Sequence, residues 1–131
     1  MNGLIEDGLA RAQELTDLLP DAKNLSFDLL ICPPSTLLEP ISRIIRNSGI
    51  YLGGQNCHPN PSGAHTGDIS AEMLADVGCS YVILGHSERR LEQNEGNKLI
   101  SSKAAAVLRT SLTAIICVGE TSKERDAGAE N

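Results

Sequence analysis

Apolar residues recur at helical spacing through Leu4, Leu9, Ala12, Leu15, Leu18 and Leu19, with Glu6, Asp7, Arg11 and Glu14 between them. That pattern predicts an amphipathic helix closing near Pro20. The period then changes. FDLLIC at 27–32 is a short apolar run stopped by Pro33 and Pro34, which cannot extend a sheet interior, so it predicts a strand. Ser35 or Thr36 can cap a helix from Leu37 to Arg46. IYLGGQ at 50–55 is strand-like, and 56–68 (NCHPNPSGAHTGD) is a long Pro-, Gly- and Asn-rich loop of a length that usually signals function or disorder. Ser70 can cap a short helix, AEMLADV, that ends at Gly78.

YVIL at 81–84 is a dense apolar run with two β-branched members, which suits a strand buried on both faces. Lys98 to Leu108 has helical propensity, TAIICV at 113–118 predicts another buried strand, and Ser122 to Ala127 predicts the start of one more helix. Helices and strands therefore alternate, with four strands. Strands separated by helices of this size become parallel neighbours through right-handed crossovers, so the class is α/β in one domain over 1–131.

In such folds ligands gather where strands surface at their carboxyl ends. Each predicted strand here ends in chemistry-bearing residues: Cys32-Pro33-Pro34, Gly54-Gln55-Asn56, Gly85-His86-Ser87-Glu88 and Gly119-Glu120-Thr121. Together they would line one rim.

Composition narrows the possibilities. The chain is 40% apolar and 21% charged with a net charge of −6, which argues against a nucleic-acid partner because no basic face is available. No apolar stretch approaches the ~20 residues that span a bilayer, and MNGLIEDGLA lacks the basic and apolar regions of a signal peptide, so a cytoplasmic location is expected. Cys32, Cys57, Cys79 and Cys117 are widely spaced, without a C-x-x-C, and are expected to be reduced thiols.

His86 directly follows a buried run. A lone histidine there is ordinarily satisfied by a backbone group. Where a helical turn begins, however, the positive end of the peptide dipoles favours the neutral ring, which can donate a hydrogen bond to a substrate oxygen. Glu88 reads either as a general acid or base or as a first-turn carboxylate stabilised by that dipole, and spacing favours the second. Arg89 and Arg90 read as ion-pair partners rather than phosphate ligands. The glycine-rich pieces at 53–54 and 63–67 match neither G-x-G-x-x-G nor a P-loop. Cys57, His58, His65 and Cys79 invite a zinc reading, but adjacent side chains diverge in an extended chain and no second ligand pair stands at zinc spacing, so no metal is expected. Gln55 and Asn56 could bind substrate or satisfy loop backbone.

Four stretches, G-G-Q-N at 53–56, S-G-A-H-T-G-D-I-S-A-E-M-L at 62–74, Y-V-I-L-G-H-S-E-R-R at 81–90 and I-C-V-G-E at 116–120, closely resemble in order and spacing the triosephosphate isomerase family. The resemblance runs over essentially the whole chain. It implies a parallel (β/α) barrel of the TIM type, and interconversion of dihydroxyacetone phosphate and D-glyceraldehyde 3-phosphate through an enediolate, in glycolysis and gluconeogenesis, without metal or cofactor. Carried over, His86 matches the neutral electrophile that polarises the substrate carbonyl, and Glu88 a carboxylate whose role is partly structural. Gln55 and Asn56 match supporting positions at a strand end, and Cys117 and Glu120 a buried cysteine and an ion-pairing glutamate that support the site. The 56–68 loop, with His65, Thr66, Gly67 and Asp68, matches the segment that docks into a pocket of the other subunit in a homodimer. Thr66 would stand at its tip, and Arg89 would pair with Asp68 across the interface. The family usually carries Glu where this sequence has Asp68, so that pair is expected to be looser.

A complete barrel of this kind needs about 250 residues, and the chain has 131. Met1-Asn2-Gly3 resembles the tail of the family's N-W-K-M-N-G segment, which implies that the first strand and the catalytic asparagine and lysine precede residue 1. The glutamate base, the glycine-rich phosphate loops and the lid would likewise follow residue 131. About half a barrel, with four strands, is thus expected, with one of three principal catalytic residues. Such a chain is either part of a complete isomerase or a non-catalytic half-barrel that binds or assembles with something. The unpaired sheet edges that four strands would leave favour the first.

Overall fold

The computed structural model describes residues 2–20, 22–120, 125, 126 and 128. Helix α1 (Ile5–Leu18) leads into a 3-10 turn at Ala22–Asn24. Strand β1 (Leu30–Ile31), helix α2 (Ser35–Ile45), strand β2 (Tyr51–Gly54), helix α3 (Ala71–Asp76) and strand β3 (Tyr81–Leu84) follow. Helices α4 (Ser87–Glu92) and α5 (Asn97–Val107) then precede strand β4 (Thr113–Ile116). The four strands form one sheet in sequence order, and every neighbouring pair is parallel. The helix expected at Ser122 to Ala127 lies largely outside the described residues.

Register assigns the faces. Leu30 pairs with Tyr51, Gly53 with Tyr81, and Tyr81 and Ile83 with Thr113 and Ile115, so these side chains share one face of the sheet. The alternate residues Leu52, Val82 and Leu84 are fully buried under the helices, with Leu37, Leu38, Ile41, Ile45, Leu74, Ile100 and Val107. Among the described residues only this layer is a closed core. On the other, concave face Tyr51 meets Tyr81 edge-on, with ring centroids 5.4 Å apart, and Ile83 is only half-buried. The expectation that YVIL is covered on both sides therefore holds for one side alone, because four strands curve without closing.

The edges depart from expectation for the same reason. β1 is two residues long rather than the FDLLIC run, and Phe27 is exposed, because an edge strand pairs with one neighbour only. β4 was expected to be buried, yet Thr113, Ile115 and Ile116 are exposed at the opposite edge. Helix α2 starts two residues earlier than expected. Pro34 is its N-cap, with the Leu37 amide donating to the Pro34 carbonyl at 2.9 Å, and neither Ser35 nor Thr36 is the cap. The expected cap at Ser70 is present: its hydroxyl accepts from the Met73 amide at 3.2 Å. Gly78 ends α3 at φ +93°, a conformation open to glycine, while the Cys79 amide returns to the Leu74 carbonyl at 3.0 Å. The outcome is half of an eight-stranded (β/α) barrel, with its helices outside.

Candidate active site

All four strand ends emerge at one rim, and their positions are locked from behind. The Gln55 side-chain amide donates to the Cys32 carbonyl at 2.9 Å, tying the end of β2 to the end of β1. Arg90 does the same for β3 and β4. Its Nε donates to the Gly85 carbonyl at 2.7 Å, Nη2 to the Cys117 carbonyl at 3.0 Å and Nη1 to Asn97 Oδ1 at 2.8 Å. The sequence reading made Arg90 an ion-pair partner. The structure makes it a clamp on two backbone oxygens and the Asn97 side chain, a use that the planar fork of guanidinium donors suits.

His86 sits on that rim as the N-cap of α4, between Gly85 and Ser87. The chain turns out of β3 through Gly85, at φ +66°. A Cβ there would lie 2.7 Å from Ile100 Cδ1, so the turn is both left-handed and tight against α5. His86 Nδ1 accepts from the Glu88 amide at 3.4 Å. With Nδ1 as acceptor, a neutral ring carries its proton on Nε2. The Glu88 carboxylate is exposed and lies 3.6 Å from Nδ1, in the first turn of α4. It shares the histidine's edge of the rim, and its backbone amide orients the ring.

Behind the rim is a polar cluster that sequence reasoning missed. Glu95 and Lys103 are both buried, and Lys103 Nζ contacts Glu95 Oε1 at 2.5 Å and Asn56 Oδ1 at 2.8 Å. Arg89 Nε donates to the same Glu95 oxygen at 2.8 Å. Burial alone would push the Glu95 carboxyl up, but hydrogen bonds from Lys103 and Arg89, together with their charges, outweigh it and hold the group below the usual carboxylate range. Asn56 is thus held from below by an ammonium, which fixes its side-chain oxygen toward Lys103. One signal was available: Ile100, Lys103, Ala106 and Val107 share the buried face of α5, so a lysine stands at a core position of the helical repeat.

The 56–68 loop is ordered by its own side chains. Its base closes where the His58 amide donates to the Ile69 carbonyl at 2.8 Å, and Arg109 Nη2 reaches the Pro59 carbonyl at 3.0 Å. His58 and His65 stack with centroids 3.8 Å apart, while Asn60 Nδ2 and His65 Nε2 are 2.9 Å apart. Thr66, Gly67 and Asp68 are exposed, with Asp68 3.9 Å from His58 Nε2. Among the described residues no group of three or more His, Cys, Asp or Glu is placed to hold a metal ion. Cys117 is half-buried, and Glu120 Oε1 pairs with Arg125 at 2.5 Å.

The model of one protein family, triosephosphate isomerase, matches residues 1–131. The chain belongs to the triosephosphate isomerase family. A triosephosphate isomerase of Bradyrhizobium diazoefficiens is 48% identical over 130 residues, covering 98% of this chain and 50% of that protein. One from Afipia carboxidovorans is 57% identical over 101 residues, covering 77% of this chain and 40% of the relative. The crystal structure of triosephosphate isomerase from Bartonella henselae superposes with a TM-score of 0.84 at 45% identity, over 98% of this chain and 51% of that one. The chain thus spans about half the length of the curated relatives it matches. The four parallel strands are half of the family's barrel.

Proposed function

We propose that this chain supplies the carbonyl-polarising half of a triosephosphate isomerase site, acting on dihydroxyacetone phosphate and D-glyceraldehyde 3-phosphate. The observation that carries the reading is the hydrogen bond from the Glu88 amide to His86 Nδ1 at 3.4 Å. With Nδ1 accepting from the Glu88 amide, a neutral ring keeps its proton on Nε2, and at the end of β3 that donor is available to the carbonyl oxygen of a small sugar phosphate. That hydrogen bond strengthens as negative charge develops on the oxygen in the enediolate, so it lowers the barrier to removing the adjacent C–H proton. The proton itself goes to a carboxylate base. In the family reading that base, and the lysine that offsets substrate charge, match no position within these 131 residues. The 131-residue chain alone is therefore expected to lack turnover.

The supporting shell fits that role. Gln55 and Arg90 hold the strand ends, Lys103 holds Asn56, and Cys117 and Glu120 lie at the end of β4. In the same reading, His65, Thr66, Gly67, Asp68 and Arg89 form the docking surface of a homodimer in the complete enzyme. The enzyme serves glycolysis and gluconeogenesis in the cytoplasm. The pre-ordered loop supports the docking role, and no described helix is long and apolar enough to cross a membrane.

Two measurements test this. In a coupled assay the isolated chain is expected to give no rate above the blank; near-normal turnover would refute the assignment of lysine and glutamate to segments outside it. Joined to the remaining half of the Bartonella henselae relative, the chain is expected to isomerise triose phosphate, and His86→Gln in that hybrid to lower kcat by roughly 10²–10³ with little change in KM. A folded, inactive hybrid would sink the proposal.

A further inference from the structure

His86 lies between two peptide groups, and the carbonyls of both accept from one residue. Its own carbonyl takes the Arg90 backbone N–H at 3.0 Å, and the preceding Gly85 carbonyl takes Arg90 Nε at 2.7 Å. The planes of those two peptides set φ −55° and ψ 145° at His86. Among the described residues no backbone amide reaches the Gly85 carbonyl, so the guanidinium is what anchors the first plane. The imidazole has little else to hold it. The His86 side chain is 46% exposed, so packing does not set its direction, and its Nδ1 accepts from the Glu88 amide at 3.4 Å. That length is close to the limit of a hydrogen bond, and a small rotation about φ or ψ carries Nδ1 out of reach.

The guanidinium is itself held by two further bonds. Nη2 donates to the Cys117 carbonyl at the end of β4, Nη1 donates to Asn97 Oδ1 at the start of α5, and the planar fork leaves Nε aimed at Gly85. Arg89, the neighbouring guanidinium, goes to Glu95 instead. The elements involved, β3, α4, α5 and β4, are consecutive in the chain.

We propose that Arg90 is the positioning residue of His86: by fixing the peptide before it, Arg90 keeps Nδ1 on the Glu88 amide and so keeps the proton of the neutral ring on Nε2. Its side chain bonds carbonyl oxygens and an amide, never the reacting atoms, and it acts through His86 alone. The kinetic consequence rests on the reading of His86 as the carbonyl-polarising group. The ring geometry does not.

The test uses the hybrid barrel completed with the remaining half of the Bartonella henselae relative. Nitrogen NMR of its histidine rings, with the His86 signals assigned by their loss in His86→Gln, is expected to show the neutral His86 ring protonated at Nε2 alone. Arg90→Met keeps the apolar stem and removes every side-chain donor. It is expected to bring in a second population protonated at Nδ1, and to lower kcat roughly 10–100-fold with KM within about twofold. Arg90→Lys offers a donor to one carbonyl but cannot span both, and is expected to fall between the parent and Arg90→Met. Asn97→Ala spares the bond to Gly85 and is expected to match the parent in ring signals and kcat. Unchanged ring signals in a folded Arg90→Met hybrid overturn the proposal, whatever the rate does. So does loss of folding with both Arg90→Met and Arg90→Lys, which makes Arg90 a structural tie, and so does Asn97→Ala moving the ring as far as Arg90→Met. A ring that shifts as expected in a hybrid whose kcat is unmoved, or absent from the start, supports the positioning by Arg90 and sinks the catalytic reading of His86 instead.

Discussion

Lys103 and Glu95 form an ion pair at 2.5 Å with side chains only 4% and 3% exposed. Taking both charges from water is costly, and what repays it is the set of further partners: Asn56 on the ammonium and Arg89 on the carboxylate. Glu95 Oε2 has no hydrogen-bond partner among the described residues, so the cluster is not fully satisfied there. Removing one member strands the other charge. Lys103→Met or Glu95→Gln is therefore expected to destabilise the chain by ~3–5 kcal/mol, whereas the double replacement recovers much of that loss. Urea denaturation of the two single variants and the double one measures this, and losses that simply add would show the two groups to be uncoupled.

The same pair sets the acid limit. The Glu95 carboxyl lies below the usual range in the folded chain, so the folded state holds it ionised at pH values where the unfolded chain binds a proton. Its contribution is complete above the unfolded carboxylate value, about 4.3, and is lost as pH falls through the depressed folded one. Denaturation midpoints taken from pH 7 down to pH 3 should fall more steeply for the parent chain than for the Lys103→Met/Glu95→Gln double variant. Parallel curves would remove Glu95 from the explanation.

Gly85 links β3 to His86 in a conformation that only glycine adopts freely, and α5 stands against it. Gly85→Ala is expected to cost ~1–2 kcal/mol from the left-handed backbone, and more from the contact with Ile100. Because Arg90 bonds the Gly85 carbonyl, the same change should loosen the joint between β3 and β4. Faster amide exchange at Cys117, whose N–H reaches Leu84, would accompany the drop in midpoint. An unchanged midpoint would mean that the turn relaxes at no cost.

The strands and helices were legible because their periods differ, and the rim was legible because each apolar run ends in polar residues. Ser70 and Gly78 carried their local meaning into the fold unaltered. What was not legible depends on closure. TAIICV reads as buried, since its composition suits a strand covered on both sides, yet within β4 only Ala114 packs against the core, and Thr113, Ile115 and Ile116 are exposed. FDLLIC shortened to two residues for want of a second neighbour. The Lys103–Glu95 cluster left one periodic mark, a lysine on the buried face of α5, but its partner Glu95 lies in a loop, where no period points to it. Arg90 was misassigned because two of its three partners are backbone carbonyl oxygens, which no side-chain pattern discloses, and the third is the neutral amide of Asn97.

The cysteines provide a test of the core itself. Burial pushes the Cys57 and Cys79 thiols up to about 11, and it raises Cys32 as well. The thiolate is the reactive form, so at pH 8 only about one in a thousand molecules presents it at Cys57 or Cys79, and both side chains lie in the closed layer beneath the helices. Iodoacetamide labelling read by mass spectrometry is expected to leave these two unmodified in the native chain, while half-buried Cys117, on the rim beside the open edge, is alkylated. Urea should expose all four alike. Native-state labelling of Cys57 as fast as Cys117 would mean that the layer joining the 56–68 loop to α3 opens readily, and with it the support beneath Asn56.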